Sequence, residues 1–202
     1  MKSFVKTRKF FTRTVEISGM SRLSRHSSPH RVRELVKDCL DDFYDMDGPV
    51  LERNSGRGVC ERAIVFRLAH YLQKRIGNYF VDCDFNSSFE KSFGPAGTII
   101  LRARDGKPIG NVDRSSTKRF IDVIVHRRDA NYQNNLICFE VKKWNNKNSK
   151  EIEKDENNLS VLTTPSFGYL YGFHLILHKK KSDSTWTIFQ GGAVVERGSK
   201  IY

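Results

Sequence analysis

The sequence contains no stretch of 18 apolar residues, which excludes a transmembrane helix, and no apolar core follows the initial Lys2 as a secretory signal peptide would require. Four cysteines (Cys39, Cys60, Cys83, Cys138) occur without a C-x-x-C pair, so neither a zinc ribbon nor a thioredoxin-like redox pair is indicated, and reduced thiols in a reducing, cytoplasmic compartment are the simpler expectation. There is no Gly-x-Ser-x-Gly elbow and no Cys with an evident His partner, so acyl transfer is not suggested. The six histidines show no metal-ligand spacing, and neither internal repeats nor low-complexity tracts are present. Acid is also scarce: 23 Asp and Glu stand against 35 Lys and Arg, a net charge of +12. Such a balance favours a polyanionic partner, usually nucleic acid, although charge alone does not separate binding from cutting.

What is present fits one domain: 202 residues, 38% hydrophobic and 29% charged. The charge is unevenly spread, with nine basic residues and only Glu16 as acid in residues 1–33, or +8 of the +12. We divide the chain into a basic arm, 1–28, and a domain, 29–202. With Phe4, Phe10 and Phe11 among its lysines and arginines, the arm can track phosphates and stack on bases. A loosely ordered solubilising tail and an organelle transit peptide remain the alternatives.

Apolar positions 32, 35, 36, 39, 40 and 43 predict a helix opening near Pro29 and ended by Gly48-Pro49. A second helix is predicted from about Glu61 to Ile76 with Gly77 as its C-cap. Strands are expected at Tyr79–Phe85, Phe120–His126 and Leu136–Lys142, then a helix at Glu151–Leu162 stopped by Pro165, then strands at Tyr169–His178 and Thr185–Gln190. The turn-rich stretch 86–117, with one candidate strand at Thr98–Arg104, reads as a functional insertion. The fold class is α/β, a central mixed β-sheet flanked by helices.

Glu140 and Lys142 alternate along an apolar strand and project from the same side near its end. Asp122 interrupts a β-branched run. A lone buried carboxylate is costly, so Asp122 needs a positive partner, most economically a metal ion. If the two strands are neighbours, Asp122 and Glu140 converge on one Mg²⁺, with the Val141 carbonyl as a further oxygen and Lys142 placed to orient or help deprotonate an attacking water. Such a site suits phosphodiester hydrolysis. Glu61 extends the apolar stripe of Val65, Leu68 and Leu72, either as a ligand or supporting acid or as a first-turn acid favoured by the helix dipole. Lys118, Arg119, Arg127 and Arg128 bracket the Asp122 strand and Lys143 follows Lys142, as phosphate contacts or as solvated strand ends. Asp82 and Asp84 read as a solvated edge, His70 as exposed, and Lys154 with Asp155 as either site residues or a surface ion pair. Tyr169 and Tyr171 read as one strand face near the cleft or as ordinary packing.

Asp122, then Glu140-Val-Lys142 after 17 intervening residues, behind a helix bearing Glu61 and ahead of another helix, resembles the PD-(D/E)xK restriction-endonuclease-like superfamily over about residues 30 to 190. More narrowly, Glu61-Arg-Ala-Ile, Val81-Asp-Cys-Asp-Phe-Asn86, Asn135-Leu-Ile-Cys-Phe-Glu-Val-Lys-Lys143 and Tyr169-Leu-Tyr-Gly172 are similar to a group of small bacterial proteins within it. Ile121 stands where the family has proline. The resemblance implies a restriction-endonuclease-like core and divalent-metal-dependent nuclease chemistry with Mg²⁺, or Mn²⁺ in its place. It implies metal binding by Asp122 and Glu140, a catalytic Lys142 and a supporting Glu61. DNA is favoured over RNA as partner, no membrane is expected, and a homodimer stays open because paired strand breaks often call for two sites. The alternatives are a non-catalytic nucleic-acid-binding or assembly protein on the same scaffold and a binder of acidic protein.

Overall fold

A computed structural model describes residues 23–52, 60–85, 121–128, 134–146 and 148–202. The chain is α/β: a six-stranded mixed sheet and, among the described residues, three α-helices. Helix α1 spans Pro29–Glu52 and α2 Glu61–Arg75. The strands are β1 (Phe80–Phe85), β2 (Ile121–His126) and β3 (Ile137–Lys143), followed by helix α3 (Ser149–Leu162) and by β4 (Tyr171–Leu177), β5 (Thr185–Gln190) and β6 (Ala193–Lys200). Strand order follows chain order, and every neighbouring pair is antiparallel except β3 with β4. A parallel pair needs a long crossover, and α3 supplies it.

The predicted apolar stripe of α1 is buried in full, but the helix does not stop at Gly48-Pro49. Pro49 lies within it, at the cost of the N–H that would meet the Asp45 carbonyl, and three further residues carry Leu51 into the core. Proximity to the helix end keeps that cost small. On α2 the expected stripe is buried together with Tyr71, whose hydroxyl donates to Asp47 Oδ2 at 2.7 Å. Its C-cap is Ile76, whose N–H returns to the Leu72 carbonyl, and not Gly77, which does not take the left-handed conformation. Helix α3 starts two residues earlier than expected because the Asn148 side chain accepts the Glu151 N–H as N-cap. Strand β6 is an addition to the two closing strands predicted. Its mostly exposed side chains lack the apolar alternation that marks a strand, and the Gly191-Gly192 turn, with φ of 62° and 86°, folds it back on β5. The candidate strand Thr98–Arg104 and residues Lys118 and Arg119 lie outside the described residues.

Two apolar layers cover the sheet. One joins α1 and α2 to the Val123, Phe139, Phe173 and Trp186 face, where the Phe139 and Phe173 rings stack at 5.4 Å. Burying each such ring contributes about 2–3 kcal/mol. The other packs α3 through Leu159 onto Ile124, Cys138, Tyr169 and Phe189. Tyr169 and Tyr171 therefore belong to opposite layers and share no face. Leu23 is buried in the first layer and its carbonyl accepts from Asn78, so the folded body begins ahead of α1. All four cysteines are free thiols, and no helix among the described residues is long and apolar enough to cross a membrane.

Candidate active site

The antiparallel register of β2 with β3 pairs Val123 with Phe139 and Ile124 with Cys138. One more step carries Asp122 across from Glu140, so the two carboxylates leave the same face, the one covered by α3. Asp122 is tied to β3 by the Val141 N–H, which donates to its Oδ2 at 2.8 Å. The Val141 link to this cluster that the structure shows is thus its N–H. Glu140 is 3% exposed and accepts from the Asn158 amide of α3 at 3.3 Å.

Lys142 lies two residues beyond Glu140, and three elements meet around it. Its Nζ is 3.0 Å from Asp155 Oδ2 on α3 and 3.7 Å from Glu61 Oε2 at the start of α2. Glu61 also accepts the Lys143 N–H at 3.4 Å. The site therefore sits at the C-terminal end of β3, where α2 arrives from one layer and α3 from the other. Asp155 is buried at 8% exposure, so of the two readings of that acid the structure shows the one in which it joins the cluster. His174 of β4, 1% exposed, sits beside Glu140 in the parallel register, with Nδ1 3.9 Å from Glu156.

The electrostatics follow from burial and from an excess of acid. Burial pushes the Asp122 carboxyl up to about 6, and Asp155 and Glu61 add to this while the Val141 N–H and Lys142 oppose it. Burial, then Asp122 and Asp155, drives Glu140 well above the usual carboxylate range. Burial by itself would lower Lys142, but Asp155, then Glu61 and Asp122, outweigh it and raise its pKa, so the ammonium form persists. Burial lowers His174 and favours the neutral ring, against the pull of Asp155 and Glu156.

The cluster thus holds four carboxylates around one ammonium, and that ammonium is engaged by Asp155 and Glu61. Asp122 and Glu140 are the pair left short of positive charge. This donor set suits Mg²⁺, a hard cation commonly held by one or two carboxylates with water and substrate phosphate completing its shell. Among the described residues no group of three or more His, Cys, Asp and Glu side chains is placed to hold a metal ion.

The basic residues are distributed differently. Arg127 and Arg128 follow the far end of β2, about 17 Å along the strand from Asp122 at ~3.4 Å per residue. The Arg128 guanidinium is paired with Asp82 through Nε at 2.9 Å and through Nη2, and it lies 4.5 Å from the centre of the Phe80 ring. Arg127 lies 5.3 Å from the Tyr79 ring centre. Asp82 also meets His126 Nε2 at 2.7 Å, and the Arg128 contact holds its carboxyl below the usual range. Asp84 pairs with Arg62 at 3.1 Å and has a φ of 50°, which breaks the regular alternation that would have set it on the same side as Asp82. The edge strand is therefore ion-paired and not merely solvated. His70 is exposed, as expected.

Asn158 and His174 were missed by sequence reasoning. Each carries the signal that flagged Asp122: Asn158 shares the α3 stripe of Asp155, Leu159 and Leu162, and His174 interrupts the apolar run of β4. No family model, no curated protein and no solved structure matches the chain.

Proposed function

We propose that the protein is a divalent-metal-dependent nuclease built on a restriction-endonuclease-like core, hydrolysing phosphodiester bonds, with DNA the favoured substrate. The observation that carries this reading is the placement of Asp122 and Glu140 on one sheet face, Asp122 half-buried and Glu140 buried and both with raised pKa, with a lysine kept protonated two residues beyond Glu140. Asp122 and Glu140 hold the cation. Bound there, Mg²⁺ supplies phosphate polarisation and a lowered pKa for the attacking water. Asn158 fixes Glu140, and the Val141 N–H fixes Asp122. Asp155 and Glu61 aim the Lys142 ammonium, whose raised pKa suits it to orient the water and offset phosphate charge, and not to accept a proton at neutral pH. The basic extension, with seven basic residues and one acid in residues 1–28, recruits the polyanion.

The test is product formation on labelled single- and double-stranded DNA and RNA with Mg²⁺ or Mn²⁺, compared with a chelator and with Asp122→Ala and Lys142→Ala. Metal-dependent product lost in both variants is expected; unchanged cutting by Lys142→Ala refutes the mechanism. The second reading, a non-catalytic nucleic-acid-binding protein, is favoured by one feature, the engagement of Lys142 in two ion pairs. It requires salt-sensitive binding with no product at any metal concentration.

A further inference from the structure

A pocket of about 240 Å³ lies where the C-terminal end of α3, the approach to β4 and the β5–β6 turn meet, lined among others by Arg25, Thr164, Tyr169, Leu170, Gln190 and Gly191. Its volume falls below that of pockets for drug-sized ligands, roughly 300–1,000 Å³, and suits a small head group. Arg25 is half-buried, its Nη1 is shielded from solvent with no hydrogen-bond partner among the described residues, and none of the lining residues is acidic. An unpaired buried guanidinium N–H is costly, so its acceptor must be accounted for.

The pocket also takes in the C-terminal end of α3, whose last carbonyls already accept hydrogen bonds from the chain around them. Leu159 O takes the Thr163 N–H and hydroxyl, and Val161 O takes those of Thr164. Leu162 O takes the Tyr169 N–H, and Thr164 O takes those of Phe167 and Gly168. The negative end of the helix is thus largely quenched from within. An arginine lining a small, acid-free pocket, with guanidinium donors to spare, matches the oxygens of an oxyanion.

We propose that this pocket binds a phosphoryl group through Arg25. A chain of +12 meets phosphorylated polyanions readily, and this favours phosphate over carboxylate. Thr163 follows Asp155 by eight residues, about 12 Å at 1.5 Å per residue, so the pocket is separate from the carboxylate cluster and does not depend on metal or cleavage there. The phosphoryl group can be free phosphate or the 5′ end of a nucleic acid strand.

Calorimetry on the full chain separates these. Inorganic phosphate is titrated at constant ionic strength, beside oligonucleotides of one sequence carrying a 5′-phosphate or a 5′-hydroxyl. A free-phosphate site gives saturable binding that Arg25→Ala weakens by about tenfold or more, the effect of losing a charge-assisted hydrogen bond. A strand-end site gives tighter binding of the 5′-phosphorylated oligonucleotide than of its 5′-hydroxyl twin, a margin erased in Arg25→Ala. Gly191→Asp provides a second perturbation. Gly191 has a φ of 62° with open space where a Cβ would stand, a conformation Asp and Asn tolerate. The added charge should abolish phosphate binding while Gly191→Asn retains it. If neither phosphate source shows a gain that depends on Arg25 and on the charge at 191, the proposal is wrong.

Discussion

Replacing Asp122 with Asn should make the metal-free protein more stable at neutral pH, which is the reverse of what replacing a half-buried, hydrogen-bonded residue usually does. The Asp122 carboxyl is pushed from 3.8 to about 6 by burial and neighbouring acid. At ~1.36 kcal/mol per pKa unit this gap corresponds to up to about 3 kcal/mol. Between pH 3.8 and about 6 the folded state holds a proton that the unfolded state releases, so stability falls as pH rises through that window and the loss is complete by pH 7. Asparagine cannot ionise, yet it retains an oxygen for the Val141 N–H. In a chelator the variant should exceed the wild type at pH 7 by up to about 3 kcal/mol, or roughly 6–12 °C in Tm for a chain of this size. The advantage should vanish below about pH 4. Added Mg²⁺ should stabilise only the wild type. Thermal and urea unfolding at pH 4 and pH 7 measure this. An Asn variant less stable than wild type at pH 7, or one with the same offset at both pH values, refutes the view that an uncompensated carboxylate pair occupies this site.

Lys142→Ala should cost roughly 3 kcal/mol by stranding Asp155, and Asp155→Asn in that background should recover part of it; additive urea-unfolding energies would show that the ion pair contributes nothing. Gly172→Ala should lower stability by about 1–3 kcal/mol in the same assay, because its Cβ would stand 3.1 Å from Thr163 Cγ2 and 3.3 Å from Leu159 and Phe189. In nucleic-acid titrations, Arg127→Ala should reduce the salt slope by about one, whereas Arg128→Ala should change it less because its guanidinium is already spent on Asp82. Deleting residues 1–22, and so sparing the core residue Leu23, should weaken binding and flatten its salt dependence while metal affinity stays unchanged; loss of metal binding would contradict a division of labour between arm and body.

Periodicity made most of this architecture legible. The stripes of α1 and α2 and the β-branched run of β2 are strong because each buries one face, and the alternation of Glu140 with Lys142 needs only the period of a strand. Strand β6 was illegible because an exposed edge strand is stabilised by its ladder to β5 and not by an apolar face. Local rules misled where tertiary burial outweighed them, as when Leu51 drew α1 past Gly48-Pro49. At the candidate site, the pairing of Asp122 with Glu140 could be anticipated from two adjacent strands. Spacing marks Asp155, Asn158 and His174 as polar residues within apolar patterns, but what they meet depends on how α3 and β4 dock. The ion pairs of Asp82 were equally hidden, since they join residues 44 and 46 positions apart.

The central claim is that Asp122 and Glu140 share one divalent cation. Anomalous diffraction from crystals of the full chain soaked in Mn²⁺ tests it most directly. The account predicts a single peak between the two carboxylates, with an oxygen of each at about 2.0–2.6 Å from the metal. A protein that shows no peak there while binding Mn²⁺ elsewhere, or in which only one of the two carboxylates reaches the ion, contradicts it.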